Sequence, residues 1–147
     1  MDTFGNTKMN NTIKYVTGFL FSPDRQSVVL IHKNRPEFQA GKINGVGGKI
    51  EKDETPLMAM RREFFEETGV EIENWREFAV INGPDYEVYF HCSISEKYIS
   101  VESKTDEQVF SYELSKLQEL NVIPNTRWLI PMALYGSHDK CECYYFN

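Results

Sequence analysis

The spacing of hydrophobic residues predicts two paired strands near the start of the chain. Residues from Ile13 to Phe21 are mostly β-branched, aromatic or apolar, and a second apolar run extends from Val28 to His32. Residues 22–25, Ser-Pro-Asp-Arg, separate the two runs and have the composition of a turn. We therefore expect a β-hairpin. Residues 1–11 are polar without periodicity, which predicts a loose N-terminal tail.

A helix is predicted to begin at Pro56, because both of its ends carry clear signals. Thr55 is a favourable N-cap, and proline suits the first helical position. Gly69 is the residue type preferred just past a C-terminus, so the helix is expected to end before it. One apolar stripe along this helix is expected to face the core: Leu57, Met60, Phe64 and Phe65.

Three further strands are predicted between residues 78 and 114. The first extends from Phe78 to Ile81, and a weaker one extends from Val109 to Leu114. Between them, every second residue is apolar: Val88, Phe90, Cys92 and Ile94. This alternation is typical of a strand with one face buried and the other in solvent.

A second helix is predicted to start near Asn125 or Thr126. Its apolar face is expected to contain Trp128, Leu129, Met132 and Tyr135. The tail from Cys141 to Phe146 is expected to close a sheet edge. Strands that enclose two helices predict an α/β sandwich with a mixed sheet, built from residues 12–147 as a single domain.

The composition of the chain excludes two classes of partner. The 147 residues are 41% hydrophobic, and 16 Lys and Arg stand against 22 Asp and Glu, giving a net charge of -6. The basic excess that drives non-specific binding to nucleic acid or anionic lipid is therefore missing. The apolar runs are far shorter than the ~20 residues of a membrane-spanning helix, and the N-terminus does not resemble a signal peptide. We expect a soluble, cytoplasmic protein.

Cysteine and histidine do not suggest a disulfide framework or a zinc site. The cysteines are odd in number and include no CxxC pair: Cys92, Cys141 and Cys143. Free thiols in a reducing cytoplasm are the expected state. The histidines lie far apart without ligand spacing: His32, His91 and His138.

Three glutamates share one face of the first predicted helix. Glu63, Glu66 and Glu67 stand at i, i+3 and i+4, so their like charges repel. A bound divalent cation would reverse that penalty. Carboxylate oxygens favour Mg²⁺ or Mn²⁺, and Mg²⁺ is commonly shared with substrate phosphates. A metal-bound polyphosphate is the expected partner, and a merely solvated acidic face is the alternative.

The acidic helix is part of a longer pattern. Gly48 is followed by five residues, Glu54, seven residues and then Arg-Glu-Phe-Phe-Glu-Glu-Thr-Gly-Val over residues 62–70. At every fixed position this segment resembles the signature of the Nudix hydrolases, which we call the box. The resemblance implies a Nudix α/β/α sandwich with a loop-helix-loop catalytic motif. It also implies Mg²⁺-dependent hydrolysis of a nucleoside diphosphate linked to another group.

The resemblance assigns roles to the box residues. Glu63, Glu66 and Glu67 match the carboxylates that bind metal and activate water, and the carbonyl of Gly47 matches a backbone metal ligand. Arg62 is expected to orient a glutamate.

Two glutamates outside this metal-binding set, Glu54 and Glu107, also have expected roles. Glu54 is expected to tie the glycine loop to the helix. Glu63 is the first choice for the general base. Some family members take the base from a later loop, where Glu107 is the second candidate. The alternative for Glu107 is a place in a solvated acidic segment, residues 102–107.

The glycine loop suggests how a base is bound. Residues 43–49, Ile-Asn-Gly-Val-Gly-Gly-Lys, resemble the loop of oxidised purine nucleoside triphosphatases in the MutT-like branch of the family, where the asparagine contacts the base. Asn44 can donate and accept hydrogen bonds in one plane, as reading a purine edge requires. A plain Asn-Gly turn is the alternative. Phe38 aligns with an aromatic residue that lies against the base in those enzymes, although simple packing is equally open.

Asn125 and the basic loop complete the predicted substrate site. Asn125 resembles a base-reading asparagine of MutT-type enzymes, and helix N-capping is the competing interpretation. Lys33, Arg35 and Lys42 flank the glycine loop and are candidates for phosphate contacts, or else are merely solvated.

The sequence therefore predicts a hydrolase for a small nucleotide. The expected reaction converts a (d)NTP, such as 8-oxo-dGTP, to the monophosphate and pyrophosphate. Hydrolysis of ADP-ribose or a dinucleoside polyphosphate is one alternative. A non-catalytic nucleotide sensor is another, but such a sensor usually lacks box glutamates, and none is missing here.

Overall fold

An eight-stranded mixed sheet forms the centre of the computed structural model, which describes residues 12–137 and 139–145. The tail predicted over residues 1–11, His138 and Phe146 lie outside the described residues. The strands are β1 (Ile13–Phe21), β2 (Ser27–His32), β3 (Ile43–Asn44), β4 (Val46–Lys49), β5 (Arg76–Asn82), β6 (Tyr86–Ile94), β7 (Val109–Glu113) and β8 (Cys141–Tyr144).

The strand order confirms the predicted mixed sheet. The main path is β3-β2-β1-β6-β5-β8, with β4 also paired to β1 and β7 also paired to β2. The β1/β6 and β5/β8 pairs are parallel, and the other pairs are antiparallel. The predicted hairpin is β1/β2, in which Phe21 lies opposite Val28. The predicted closing strand is β8, at the edge of the sheet.

Both predicted helices are present. Helix α1 (Pro56–Thr68) begins after Thr55, whose side chain accepts a hydrogen bond from the Met58 N–H at 3.2 Å. It ends at Gly69, which has a φ of 74° that favours glycine. Helix α2 (Thr126–Tyr135) contains Pro131. Neither helix is long and apolar enough to cross a membrane.

Two apolar cores, one on each face of the sheet, produce the α/β/α sandwich. Successive side chains of β1 and β2 alternate between the faces. One core packs α1 against the sheet and includes Val16, Leu20, Val29, Ile31, Met60 and Phe64. The other packs α2 against the sheet and includes Phe19, Phe21, Val28, Leu30, Leu129 and Ile130. The predicted fold class is confirmed.

The half-buried pattern predicted for residues 88–94 is wrong. His91 and Ser93 are only 2% and 8% exposed, whereas Ile94 is 45% exposed. Strand β6 is a central strand, and both of its faces are covered, because Phe90 and Cys92 belong to the core on one side of the sheet and Tyr89 packs against the core on the other. Burial lowers the pKa of His91, because a buried imidazolium loses its hydration, although nearby Glu77 opposes the shift.

The predicted apolar faces of the helices are partly wrong. In α1, Met60 and Phe64 are buried as expected, but Phe65 is 50% exposed, because it lies one position, about 100°, further round the helix. In α2 the buried stripe is Thr126, Leu129, Ile130 and Ala133. Trp128 and Tyr135 lie on the opposite side of the helix and are 42% and 74% exposed.

Candidate active site

Strand β4 lies so close to strand β1 and to helix α1 that two of its positions require glycine. A Cβ atom at Gly47 would lie 1.9 Å from the carbonyl oxygen of Val16 on the neighbouring strand. A Cβ atom at Gly48 would lie 2.5 Å from the carboxyl carbon of Glu63. Gly47 therefore allows β4 to lie against β1, and Gly48 brings the strand backbone against the first glutamate of the acidic face.

Arg62 links the glycine strand to the helix. Its Nε and Nη2 donate to the two carboxylate oxygens of Glu54 at 2.6 and 2.9 Å, and Nη2 also donates to the carbonyl of Lys49 at 3.0 Å. The Arg62 guanidinium holds the pKa of Glu54 below its usual value. Glu54 thus joins the loop to the helix through Arg62.

The carboxylates of the acidic face are all engaged by neighbours. Arg62 Nη1 donates to Glu63 at 2.9 Å and to Glu66 at 3.3 Å, and the Thr105 hydroxyl donates to Glu67 at 2.9 Å. Burial raises the pKa of Glu63; the hydrogen bond and charge of Arg62 oppose the shift, while the charges of Glu66 and Glu67 add to it. Burial also raises the pKa of Glu67, against the Thr105 hydrogen bond. Keeping both groups ionised therefore costs free energy.

The chemistry of these side chains fits a hard divalent cation. They offer oxygen ligands only, on one helix face beside the Gly47 carbonyl, and a cation would offset both the repulsion and the burial cost. Within residues 12–137 and 139–145, no three Asp, Glu, His or Cys side chains are already grouped as a metal site. In this arrangement Arg62 holds Glu63 and Glu66, and Thr105 holds Glu67.

Glu107 is buried, so the alternative of a solvated position is wrong. The residue is 3% exposed. Its carboxylate accepts hydrogen bonds from the backbone N–H groups of Asn34 at 2.6 Å and Arg35 at 3.2 Å, and from Lys33 Nζ at 2.9 Å. Burial alone would raise the pKa of Glu107, but these bonds and the Lys33 charge outweigh it and hold the pKa below its usual value.

A cleft of about 860 Å³ lies over the sheet on the α2 side. It brings together five of the predicted substrate-binding residues and the predicted backbone ligand: Lys33, Arg35, Phe38, Asn44, Gly47 and Asn125. Lys42 does not line it. Gly48 also lines the cleft and stands against Glu63, so the cleft adjoins the acidic helix face.

Asn44 is held in a defined orientation. Its Oδ1 accepts hydrogen bonds from the Gly45 N–H at 2.8 Å and from the Thr126 hydroxyl at 3.5 Å. Its Nδ2 donates to Gln39 Oε1 at 3.4 Å. These contacts go beyond a plain Asn-Gly turn. The sequence did not identify Gln39 and Thr126 as residues that hold Asn44. Their only signal is position, because Gln39 follows Phe38 and Thr126 follows Asn125.

Asn125 and Phe38 both face the cleft. Asn125 precedes α2 but makes no capping hydrogen bond with its side chain, so the helix-capping interpretation is wrong. Phe38 is 72% exposed in a short 3-10 turn, so the packing alternative does not describe it. Both side chains are therefore available to a ligand.

Lys33 and Arg35 are paired with acids at the edge of the cleft. Lys33 contacts the buried Glu107, and Arg35 forms an exposed ion pair with Asp106. An ammonium group has three donors, so Lys33 retains donors for a phosphate.

The sandwich, the carboxylate helix and the adjoining cleft define the class of this protein as a mixed α/β sandwich that offers oxygen ligands for a hard cation beside a ligand cleft. A model of the NUDIX domain matches residues 12–133, and the chain belongs to the Nudix hydrolase family. It is a Nudix-type pyrophosphohydrolase, and enzymes of this type generally need divalent metal ions.

Solved structures share the fold at low sequence identity. A MutT structure from work on the Aliivibrio salmonicida and Vibrio cholerae proteins is 19% identical, with a TM-score of 0.70 over 84% of this chain and 97% of that chain. The NUDIX domain of Shewanella oneidensis NrtR, solved with ADP ribose, is 18% identical, with a TM-score of 0.73 over 84% and 86%. A NUDIX-family hydrolase from Clostridium perfringens is 21% identical, with a TM-score of 0.65 over 84% and 97%.

Proposed function

We propose that this enzyme hydrolyses a (deoxy)nucleoside triphosphate, with 8-oxo-dGTP as the best candidate, to the nucleoside monophosphate and pyrophosphate. The observation that carries the proposal is the cleft, which places Phe38, Asn44 and Asn125 together beside the glycine strand. An aromatic ring can stack on a base, and two amides can each donate to and accept from its edge.

The phosphates are proposed to lie between the basic loop and the acidic helix face. Lys33 and Arg35 line the cleft on one side, and Gly48 connects it to Glu63 on the other. Mg²⁺, for which Mn²⁺ can substitute, would be held by Glu63, Glu66, Glu67 and the Gly47 carbonyl, where it neutralises phosphate charge and polarises phosphorus. Arg62 orients the carboxylates through its hydrogen bonds to Glu63 and Glu66.

Glu63 is our first choice for the general base, because its carboxylate stands directly against the glycine strand that lines the cleft. Glu107 is less suited, since three donors already occupy its carboxylate. ADP-ribose is a second candidate substrate, because a domain of the same fold was solved with that ligand.

A substrate panel with Mg²⁺ tests the proposal. The panel contains dGTP, 8-oxo-dGTP, ADP-ribose and a dinucleoside polyphosphate, and the products are analysed for pyrophosphate, orthophosphate and AMP. We expect pyrophosphate from 8-oxo-dGTP. Release of AMP from ADP-ribose alone would instead support the alternative, and nucleotide binding without turnover would indicate a sensor.

The Glu67→Gln variant tests the acidic face in the same assay. Loss of one carboxylate is expected to lower kcat by about 100-fold or more, because the neutral amide is a poor ligand for a hard cation. Glu71→Gln is the matched control, since Glu71 is an exposed acid just past the box helix. Its activity should stay within about twofold of the unmodified enzyme.

A further inference from the structure

The end of the cleft remote from Asn44 is built from the tip of the β5–β6 hairpin and the residue after β8. Asp85 and Tyr86 line the cleft at the tip, and Tyr145 lines it beside them. The Gly83 N–H donates to the Tyr86 carbonyl at 2.8 Å, and a Cβ at Gly83 would lie 2.1 Å from the Tyr86 ring. Tyr145 is fixed by its N–H, which donates to the Asn82 carbonyl at 3.0 Å. These backbone hydrogen bonds hold the hairpin tip and the residue after β8 at the edge of the cleft.

The floor of the cleft extends from the hairpin tip towards the loop that contains Asn44. Side chains of β1 at residues 13, 15 and 17 line the floor, and the first residue, Ile13, donates its N–H to the Asp85 carbonyl at 3.1 Å. Thr17 lies opposite Gly47 in the β1/β4 pair, and a Cβ at Gly45 would touch it. Four residues of strand span about 13 Å. Asp85 and Asn44 both line the cleft, so their side chains would approach a base bound over this floor from opposite ends.

The charged residues that line the cleft are mostly cationic. Three of the described residues that line the cleft are cationic: Lys33, Arg35 and Lys49. Asp85 is the single acidic residue in that described lining. The Asp85 side chain is exposed and makes no hydrogen bond or ion pair with any residue in the described part of the chain. A free carboxylate can accept two parallel hydrogen bonds from adjacent N–H donors. The N1–H and 2-amino groups of guanine form such a donor pair.

We propose that Asp85 is a specificity-determining residue that accepts hydrogen bonds from the N1–H and 2-amino groups of a guanine-type base in the cleft. The amides of Asn44 and Asn125 then contact the other edges of the ring. This inference rests on the proposed function and names its base class. Adenine and the pyrimidines lack this donor pair, so the carboxylate disfavours them.

The test compares substrates that differ only in the 2-amino group. We measure kcat/KM for dGTP against dITP, and for 8-oxo-dGTP against 8-oxo-dITP. The unmodified enzyme is expected to prefer the guanine nucleotide by about 10-fold or more, as loss of a hydrogen bond to a charged group implies. Asp85→Asn and Asp85→Ala should reduce this preference to about threefold or less with an unchanged melting temperature.

A matched control and a binding measurement separate the possible outcomes. Asp139→Asn removes an exposed acid outside the cleft and should keep the full preference. A preference that is absent in the unmodified enzyme, or that survives in Asp85→Asn, overturns the assignment of Asp85. If no triphosphate is hydrolysed, the proposed function fails, and equilibrium binding of dGMP against dIMP still decides the role of Asp85.

Discussion

Arg62 allows three like-charged residues to share one turn and a half of helix. Its guanidinium has five donors in a planar fork, and the fork contacts Glu54 with two bonds and Glu63 and Glu66 with one each. Repulsion within the acidic face is thereby offset in the absence of a cation. The same contacts keep the carboxylates beside the glycine strand, where a cation would need them.

Glu107 is expected to hold the loop of residues 33–36 in place rather than to act as the base. In Glu107→Gln, one carboxylate oxygen becomes an NH₂ donor that faces the donors of Lys33, Asn34 and Arg35. The loop that leads to Phe38 should loosen, so we expect KM to rise about 10-fold while kcat changes by less than about threefold. The free energy of unfolding should fall by about 1–3 kcal/mol. Steady-state kinetics and urea unfolding measure both effects.

Asp106→Asn is the matched control for this variant. Asp106 neighbours Glu107 and pairs with Arg35, but both side chains are 62% exposed, so the urea midpoint and KM should both stay unchanged. A general base typically contributes about 100-fold or more to the rate. A fall of that size in kcat for Glu107→Gln, with KM unchanged, would identify Glu107 as the base.

Among the secondary-structure elements, those with local signals were predictable. The ends of α1 follow from Thr55, Pro56 and Gly69, which lie within or next to the helix itself. The buried faces were less predictable, because they depend on which strand packs against the helix. Phe65 is as apolar as Phe64, and only the position of the sheet decides that Phe64 is the buried one.

The contact between β4 and β1 should make Gly47 much more sensitive to substitution than Gly18. In Gly47→Ala the new methyl group would meet the backbone of Val16 at 1.9 Å, and strand backbone cannot move without breaking the sheet. In Gly18→Ala it would meet the end of the flexible Met60 side chain at 2.6 Å. We expect losses in the free energy of unfolding of about 3 kcal/mol and about 1 kcal/mol respectively.

Urea unfolding of the two alanine variants provides the comparison. Gly47→Ala should also lose activity, because it displaces the carbonyl proposed to bind metal, whereas Gly18→Ala should retain it. Equal losses of stability in the two variants would contradict this prediction, because they would show that the β4 backbone shifts as easily as the Met60 side chain.

At the scale of the whole molecule, the cleft could be predicted only in part. The glycine loop, Phe38 and Asn125 were found because motif resemblance extends to them. Asp85, Tyr86 and Tyr145 could not be found, since the parallel β1/β6 and β5/β8 pairs bring together segments that are distant in sequence. No local pattern reports such pairings, because their register is set by packing across the sheet.

The shared sheet leads us to expect that residues 12–145 unfold as one cooperative unit. Met60 and Leu129 are fully buried in the cores on opposite faces of the sheet. Truncation of either side chain to alanine should cost about 2–5 kcal/mol through the cavity it leaves. Because strands β1 and β2 supply buried side chains to both cores, tryptophan fluorescence and far-UV circular dichroism should give the same single midpoint in each variant. Ile99→Ala, at a position 73% exposed, should shift that midpoint little. Two separate transitions, each sensitive to one of the core variants, would show instead that the two faces unfold independently.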